Sequence, residues 1–263
     1  MEDKYNKESA SFTDMMDLIN KLLGPEGCEW DKAQTFMSMR RFILEESYEL
    51  IEAITENNKA AIAEEAGDLL FQIGFQIALA ARQGYFQEKE VFNAIITKLT
   101  ERHPHIFQHR QQIDKNEIES NWHRIKAKTK LRGDRQVLGE IPKMMPSLST
   151  ALLIQERASV FGFDWQKYEN VLAKVSEEID EIRNAKSTAD QEEEFGDLLF
   201  SMVNVGRWIG INPELALGKA NSKFMERVGK MADIAEASGS NLSDMDFAEM
   251  NDLWDKVKIE SND

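Results

Sequence analysis

The chain has 263 residues, of which 42% are apolar and 30% charged, and 47 acidic against 32 basic side chains give a formal net charge of −15. This length predicts one or two domains. A surface this acidic repels nucleic-acid phosphates and anionic lipid, so we expect no DNA, RNA or membrane partner. Cys28 is the only cysteine, and no signal-peptide pattern or apolar run of about 20 residues occurs, which favours a soluble, cytoplasmic protein.

Apolar side chains at helical spacing predict four long helices, over residues 36–57, 60–83, 168–186 and 191–209. No run of alternating apolar and polar residues predicts a strand. Pro104 and Pro213 stand where helices should begin or end. The expected fold class is therefore all-α, a helical bundle.

The predicted helices belong to two copies of one unit. The string GDLLF occurs at 67–71 and again at 196–200, and each copy follows acidic residues. Three further patterns recur in the same order: Glu-Glu-x-x-Glu from Glu45 and from Glu177, Lys-x-x-x-Arg at Lys98/Arg102 and at Lys223/Arg227, and Trp-x-x-x-Lys at Trp122/Lys126 and at Trp254/Lys258. The displacement of 125 to 132 residues predicts a tandem duplication.

A segment containing glycine and proline separates the two copies. Gly133, Gly139, Pro142 and Pro146 interrupt the helical pattern between residues 131 and 148. We predict an N-terminal unit over 1–130, a linker over 131–147 and a C-terminal unit over 148–263.

Each predicted unit places carboxylates on the apolar side of two helices. At about 100° per residue, Glu46 and Glu49 lie roughly 60° apart, and Phe42 and Leu50 fall beside Glu46. The next helix adds two more acids three residues apart, and the second unit repeats the arrangement. The eight acids are Glu46, Glu49, Glu65 and Asp68 in the first unit and Glu178, Glu181, Glu194 and Asp197 in the second.

Four inward-facing carboxylates cannot all stay ionised unless protons or cations neutralise them. An all-oxygen ligand set favours Mg²⁺, with Mn²⁺ as a substitute. A di-iron site is disfavoured because all four histidines lie outside the acidic helices. The alternative is that the acids cap or salt-bridge a solvated helix surface. Gly67 and Gly196, inside the helical patterns, predict close helix approach beside the acids, or a packing role alone.

Basic and aromatic residues suggest how a polyphosphate is bound. Lys98/Arg102 and Lys223/Arg227 are each one helical turn apart and suit phosphate oxygens, although a solvated basic surface fits equally well. Lys174 shares the acidic face of the second unit, where the first unit has Phe42. Trp122 and Trp254 are candidates for stacking on a nucleobase, or for core positions. Trp30 and Trp165 are expected in the core or in a pocket wall.

The ordered set of motifs resembles the MazG family of nucleoside triphosphate pyrophosphohydrolases over nearly the whole chain, in its tandem two-domain form. The strings CEWDK at 28–32, ERHPH at 101–105 and KANSKF at 219–224 add to the resemblance. It implies an all-α NTP pyrophosphatase fold whose bundle is completed in a homodimer. It also implies Mg²⁺-dependent hydrolysis of NTPs and dNTPs to the monophosphate and pyrophosphate.

Carried over by position, the resemblance implies specific site residues. Catalytic metal ligands would be Glu178, Glu181, Glu194 and Asp197, with Glu46, Glu49, Glu65 and Asp68 as first-unit metal ligands; nucleotide contacts would be Lys174, Lys223, Arg227 and Trp254, with Lys98, Arg102 and Trp122 in the first unit. One departure is that a lysine found in the family four residues before the second-helix glutamate is replaced by Asp190, and by Ala61 in the first unit.

The mechanistic hypothesis is attack at the α-phosphorus by a water that the metal activates. Glu177 or Glu193 would accept the proton. We expect the second unit to be the active one because Lys174 joins its acidic face. Two alternatives remain open at this point: a narrower pyrophosphatase acting on dUTP or phosphoribosyl-ATP, and an acidic helical adaptor that binds a basic partner protein.

Overall fold

A computed structural model of the chain describes residues 10–107 and 138–260. Within these ranges the secondary structure consists of α-helices and one 3₁₀ turn, with no strand, which confirms the all-α prediction. None of the described helices is long and apolar enough to cross a membrane. The chain divides into two units, Met1–Gln111 and Gln112–Asp263. The predicted boundary at residue 130 and most of the predicted linker lie outside the described residues, so those limits stay a prediction.

The first unit is built on a helical hairpin. Its helices are α1 (Phe12–Leu22), α2 (Glu29–Lys32), α3 (Phe36–Thr55), α4 (Lys59–Arg82), α5 (Glu88–Arg102) and α6 (Pro104–Phe107). Thr35 begins α3 because its hydroxyl accepts a hydrogen bond from the Ser38 amide at 3.1 Å, while Ser38 bonds back to the Thr35 amide. Helices α3 and α4 pack against each other, and three residues connect them.

The core of the first unit lies between α1, α3 and α4. Ile19 and Leu23 of α1 and the segment after it, Met39 of α3 and Phe75 of α4 are at most 2% exposed. The Arg82 guanidinium donates a hydrogen bond to the Leu23 carbonyl and so joins the end of α4 to the end of α1. The C-terminal half of α4 therefore buries Phe75, Ile77, Ala78 and Leu79 in the core, whereas Leu70 and Ile73 remain 43% and 42% exposed.

The second unit repeats the helical hairpin and adds a second pair of packed helices. Its helices are α7 (Ser147–Val160), α8 (Tyr168–Asn184), α9 (Thr188–Trp208), α10 (Pro213–Ala237) and α11 (Phe247–Glu260), with a 3₁₀ turn over Leu242–Asp244. Helix α9 packs on α8 and α7, and α10 packs on α11. The buried residues Met231, Ala235, Leu253 and Val257 form the core between α10 and α11.

The four predicted helices correspond to α3, α4, α8 and α9, and every observed helix end lies within three residues of the predicted one. The largest difference is the start of α9, three residues before the predicted 191. The Ser187 hydroxyl accepts a hydrogen bond from the Asp190 amide, and the Asp190 carboxylate accepts one from the Ser187 amide, both at 3.1 Å. Asp190, which replaces the lysine of the family pattern, therefore has a clear role in starting α9.

Gly67 and Gly196 lie inside α4 and α9, but neither packs closely within its unit. A Cβ atom built at either position would meet no atom of the described residues within 4 Å. Close helix approach inside the unit, expected from the sequence, is therefore wrong for both glycines. Gly210 has a different role, since its φ of 71° ends α9, and the Ile211 amide then donates to the Gly206 carbonyl at 2.8 Å.

Two glycines of the second unit should respond in opposite directions to alanine. Gly210→Ala forces a side chain into left-handed backbone and should lower the free energy of unfolding by about 1 kcal/mol. Gly218 lies within α10, where a Cβ atom would meet open space. Gly218→Ala should therefore raise the free energy of unfolding by about 0.5–1 kcal/mol. Urea unfolding of both variants measures the two effects, and equal shifts would contradict the assigned helix end.

Candidate active site

The helical hairpin of the second unit brings three of the predicted acids together. Glu178 and Glu181 are one turn apart on α8, and Glu194 lies on α9. One oxygen from each of the three carboxylates lies within 4.8 Å of the others. Glu178 is only 2% exposed, whereas Glu181 is exposed and Glu194 half-buried. The cluster thus extends from the interior of the hairpin to its surface.

Lys174 lies one turn before Glu178 and neutralises part of this charge. Its Nζ lies 2.8 Å from Glu177 Oε1, 2.8 Å from Glu178 Oε1 and 3.9 Å from Glu181 Oε2. The hydrogen bonds to Glu177 and Glu178 raise the pKa of Lys174 above its ordinary value, so the lysine stays charged. The predicted position of Lys174 on the acidic face agrees with these contacts.

The other oxygen of Glu178 is buried, and no donor among the described residues reaches it. The pKa of Glu181 is raised, chiefly because its protonated form would hydrogen-bond to Glu178, and further by burial and by the negative charge of Glu194. Two carboxylates in contact need either a shared proton or a cation between them. A set of oxygen ligands with one unsatisfied buried member fits a divalent cation.

Asp197 lies one turn beyond Glu194 on α9 and, with Lys174 and Glu178, lines a cavity of about 780 Å³. Four aromatic side chains also line this cavity: Phe161, Phe163, Trp165 and Phe200. The acidic cluster therefore opens onto a space whose wall contains these aromatic rings together with aliphatic and polar side chains. A small organic ligand bound there would lie directly beside the carboxylates.

The first unit has an equivalent cluster with different surroundings. Glu46, Glu49 and Glu65 bring one oxygen each within 4.8 Å of one another. Burial and then the charge of Asp68 raise the pKa of Glu46, and a hydrogen bond from Gln72 opposes the shift. Phe42 takes the place of Lys174. The Phe42 ring lies 6.1 Å from the Trp30 ring and 4.4 Å from the Arg41 guanidinium.

The predicted nucleotide contacts of the second unit form a separate group on α10 and α11. The Trp254 ring lies 5.3 Å from that of Phe224, and the Arg227 guanidinium lies 5.3 Å from the Trp254 ring. Arg227 is buried, Lys223 is exposed, and neither they nor Trp254 line the cavity. Their role in nucleotide binding stays a prediction.

The corresponding contacts of the first unit are only partly described. Lys98 is exposed and Arg102 half-buried near the end of α5. Trp122 lies outside the described residues. The nucleotide-binding roles of Lys98, Arg102 and Trp122 therefore also stay predictions.

An ion pair that the sequence patterns did not indicate borders the cavity. The Arg207 guanidinium donates to both oxygens of Asp164, at 2.9 and 2.5 Å. Partial burial disfavours ionisation of Asp164, but the hydrogen bonds and charge of Arg207 outweigh it and hold the Asp164 pKa below its ordinary value. The two residues are 43 positions apart, so helical spacing carries no signal for their contact.

The fold and site define an all-α protein with a carboxylate cluster in each helical hairpin. Residues 34–107 match the MazG nucleotide pyrophosphohydrolase domain. The chain is 41% identical over 247 residues to the nucleoside triphosphate pyrophosphohydrolase/pyrophosphatase MazG of Thermotoga maritima, covering 94% of this chain and 95% of that protein. This chain belongs to the MazG family.

Two further relatives extend the comparison. A nucleoside triphosphate pyrophosphohydrolase of Escherichia coli is 37% identical over 256 residues, covering 95% of this chain and 97% of that protein. One of Mycobacterium tuberculosis is 30% identical over 178 residues, covering 66% of this chain and 52% of that protein. The Thermotoga and Escherichia matches therefore include both units of the chain.

Lys174→Met should destabilise the second unit because it leaves Glu178 buried without its cation. We expect a loss of about 2–3 kcal/mol in the free energy of unfolding, since removing one partner of a buried pair leaves an uncompensated charge. Lys230→Met is the matched control: Lys230 pairs with Glu226 at 2.6 Å, both side chains are exposed, and the change should stay below about 1 kcal/mol. Equal losses in chemical unfolding would contradict the burial argument.

Proposed function

We propose that the chain hydrolyses nucleoside triphosphates, both NTPs and dNTPs, to the nucleoside monophosphate and pyrophosphate, with Mg²⁺ as cofactor. The observation that carries this proposal is the second-unit cluster, in which buried Glu178 has one oxygen held by Lys174 and one oxygen without a donor, beside an aromatic cavity. The names of the Thermotoga and Escherichia relatives support the same reaction.

The residues of the second unit suit Mg²⁺, with Mn²⁺ as a substitute. Glu178, Glu181 and Glu194 would hold the metal, and Asp197, on the cavity side of α9, would complete the oxygen set. When bound, the metal would neutralise phosphate charge and lower the pKa of a water near the α-phosphorus. The unsatisfied oxygen of Glu178 and the raised pKa of Glu181 are the features that support this fit.

The chain's own side chains would position the substrate and accept a proton. Lys174 holds Glu178 and Glu177 in place, and its positive charge would attract a phosphate group bound in the adjoining cavity. Because Glu177 already bonds to Lys174, the exposed Glu193, adjacent to Glu194, is the better placed of the two candidate proton acceptors. Lys223, Arg227 and Trp254 remain proposed contacts to the nucleotide.

The second unit is proposed as the active one. In the first unit Phe42 replaces Lys174 and contacts the Trp30 ring and the Arg41 guanidinium, and Gln72 donates a hydrogen bond to Glu46. Glu46, Glu49, Glu65 and Asp68 still form an oxygen-rich set that could bind a divalent cation. A structural or regulatory role suits the first unit better than turnover, because it lacks the lysine on the acidic face.

The proposed assembly is a homodimer. Phe195, Leu199 and Met202 form one stripe along α9, since they lie within about 60° on the helical wheel. Their exposed fractions are 54%, 43% and 50%, so this stripe presents a continuous apolar surface beside Gly196. A second copy of the chain is the proposed partner for that stripe.

The reaction itself is tested by product analysis. The purified chain incubated with a panel of NTPs and dNTPs and Mg²⁺ should release monophosphate and pyrophosphate, and a chelator should stop the release. Nucleoside diphosphate plus orthophosphate would contradict attack at the α-phosphorus. Turnover of dUTP or phosphoribosyl-ATP alone would favour a narrower pyrophosphatase, and no turnover with no heat on Mg²⁺ titration would favour an adaptor.

Single variants then locate the site in that assay. Glu194→Gln should lower kcat at least about 100-fold, because the loss of several kcal/mol of charge stabilisation corresponds to two or more factors of ten. Glu192→Gln, an exposed residue on the same helix, is the matched control and should change kcat less than about twofold. Glu65→Gln reports on the first unit, and a 100-fold loss there would contradict the assignment of activity to the second.

The dimer is tested by sedimentation velocity. The unchanged chain should sediment as a dimer, and Leu199→Glu combined with Met202→Glu should give a monomer, because two charges would have to be buried in the interface. Met144→Glu, at a side chain that is 90% exposed elsewhere in the unit, is the control and should leave the dimer intact. A monomer for the unchanged chain would contradict the assembly.

A further inference from the structure

The chain segment before α7 forms part of the cavity wall in the second unit. Leu138 lines the cavity of about 780 Å³, together with side chains of α7, α8 and α9 and of the loop after α7. Leu138 is half-buried and belongs to a turn outside any helix. The helices of the lining are held by other helices, whereas this turn is not. We call residues 138–140 the strap.

One side chain of α7 holds the strap. Arg157 Nη1 donates hydrogen bonds to the Leu138 carbonyl at 2.5 Å and to the Glu140 carbonyl at 3.0 Å. Within the described part of the chain, the backbone of the strap makes no other hydrogen bond. Arg157 is half-buried, and hydrogen bonds from a charged donor are stronger than neutral ones. The position of the strap therefore depends on the Arg157 guanidinium.

The middle residue of the strap is fitted to this guanidinium. Gly139 has a φ of 67°, and a Cβ atom built on it would lie 3.4 Å from Arg157 Nη1. A side chain at this position would occupy left-handed backbone and would also crowd the guanidinium. Glycine therefore allows the arginine to approach the backbone between the two carbonyls that it binds.

The chain that follows the strap is fixed by contacts that do not involve Arg157. The Met145 amide donates to the Pro142 carbonyl at 3.1 Å just before α7 begins. The amide and the hydroxyl of Ser149 both donate to Glu214 Oε2 at 3.1 Å, which joins the start of α7 to α10. Loss of the Arg157 contacts would therefore release the strap while α7 stays docked.

The first unit has no such arginine at the matching position. When the two units are aligned on Trp30 and Trp165, Arg157 corresponds to Leu22 of α1. The side chain of Leu22 has no hydrogen-bond donor. The arginine that holds a strap is therefore found in the unit whose hairpin borders an open cavity.

We propose that the strap is a movable wall of the cavity and that the Arg157 guanidinium keeps it closed. Arg157 is then a positioning residue, because it acts on the cavity through Leu138. Segments outside helices that are held by few contacts open at low free-energy cost, and such segments commonly gate binding cavities. The effect of the strap on turnover rests on the proposed function, whereas its opening does not.

Thiol labelling measures the opening of the strap. Cys28 is the only cysteine, so Leu138→Cys in a Cys28→Ser chain places the one reactive thiol in the cavity wall. N-ethylmaleimide labelling, followed by mass spectrometry, should become about tenfold faster or more when Arg157→Met is added, because hydrogen bonds from a charged donor contribute at least that factor. Arg157→Lys keeps a charged donor and should recover part of the slow labelling. Gly139→Ala should accelerate labelling several-fold.

Matched variants separate the strap from general loosening of the unit. Arg183→Met removes an exposed arginine that pairs with Asp180 at 3.0 Å, and Gly218→Ala fills open space on α10. Both changes should leave the labelling rate in the strap within twofold. Val203→Cys, also in the Cys28→Ser chain, is a second reporter at a residue of α9 that is 1% exposed. Arg157→Met should change the labelling rate of this second reporter less than twofold.

Steady-state kinetics give a readout that an arginine needed only for folding would not give. With ATP and Mg²⁺, Arg157→Met should raise KM several-fold with kcat nearly unchanged, because the cavity loses a wall while the acids of the cluster stay in place. Arg157→Lys should give a KM between those of Arg157→Met and the unchanged chain. Arg183→Met should leave KM and kcat within twofold.

The outcomes distinguish the strap from the reaction. An unchanged labelling rate in Arg157→Met would overturn the proposal, and so would equal acceleration at both reporters, which indicates general damage to the fold. Fast labelling of the strap with KM within twofold of the unchanged chain would contradict its role in closing the cavity. Fast labelling of the strap alone, in a chain that hydrolyses no ATP, would support the movable wall and contradict the proposed reaction.

Discussion

The site of the second unit depends on one electrostatic constraint: it contains a buried carboxylate of which only one oxygen is bound by a cationic side chain. Glu178 is 2% exposed, and Lys174 binds one of its two oxygens, while the other is buried with no hydrogen-bond partner among the described residues. Desolvating such a charge costs several kcal/mol, and like charges nearby add to that cost. The pairing of α8 with α9 brings Glu194 to the same place, so packing of the hairpin crowds carboxylates that a shared proton or a cation would neutralise.

The two units retain this constraint to different degrees. In the first unit burial and neighbouring acids raise the pKa values of Glu46 and Glu65, which shows the same crowding of carboxylates. Phe42, Phe75 and Ala78 have replaced the polar side chains that border the second cavity, and Phe75 and Ala78 are buried in the first core. The first hairpin thus has its acids beside a filled core, and the second has acids, a lysine and an open cavity.

Helical periodicity and duplication were enough to predict the hairpins and the acids that meet in them, because both signals depend on residues only three or four positions apart. Features that depend on distant contacts were not predictable. Asp164 and Arg207 are 43 positions apart, and the packing of Trp254 depends on how α11 docks on α10. The start of α9 was missed for a local reason, since the reciprocal hydrogen bonds of Ser187 and Asp190 extend the helix beyond its apolar pattern.

Net charge links the proposed cofactor to the proposed substrate. The chain carries a formal charge of −15, and at the site Lys174 already pairs with Glu177, Glu178 and Glu181, close to the further acids Glu194 and Asp197. A triphosphate approaching these acids alone would meet strong repulsion at short range, where solvent screening is weak. On the proposed function, cations must therefore accompany the nucleotide, and affinity for one should rise with occupancy by the other.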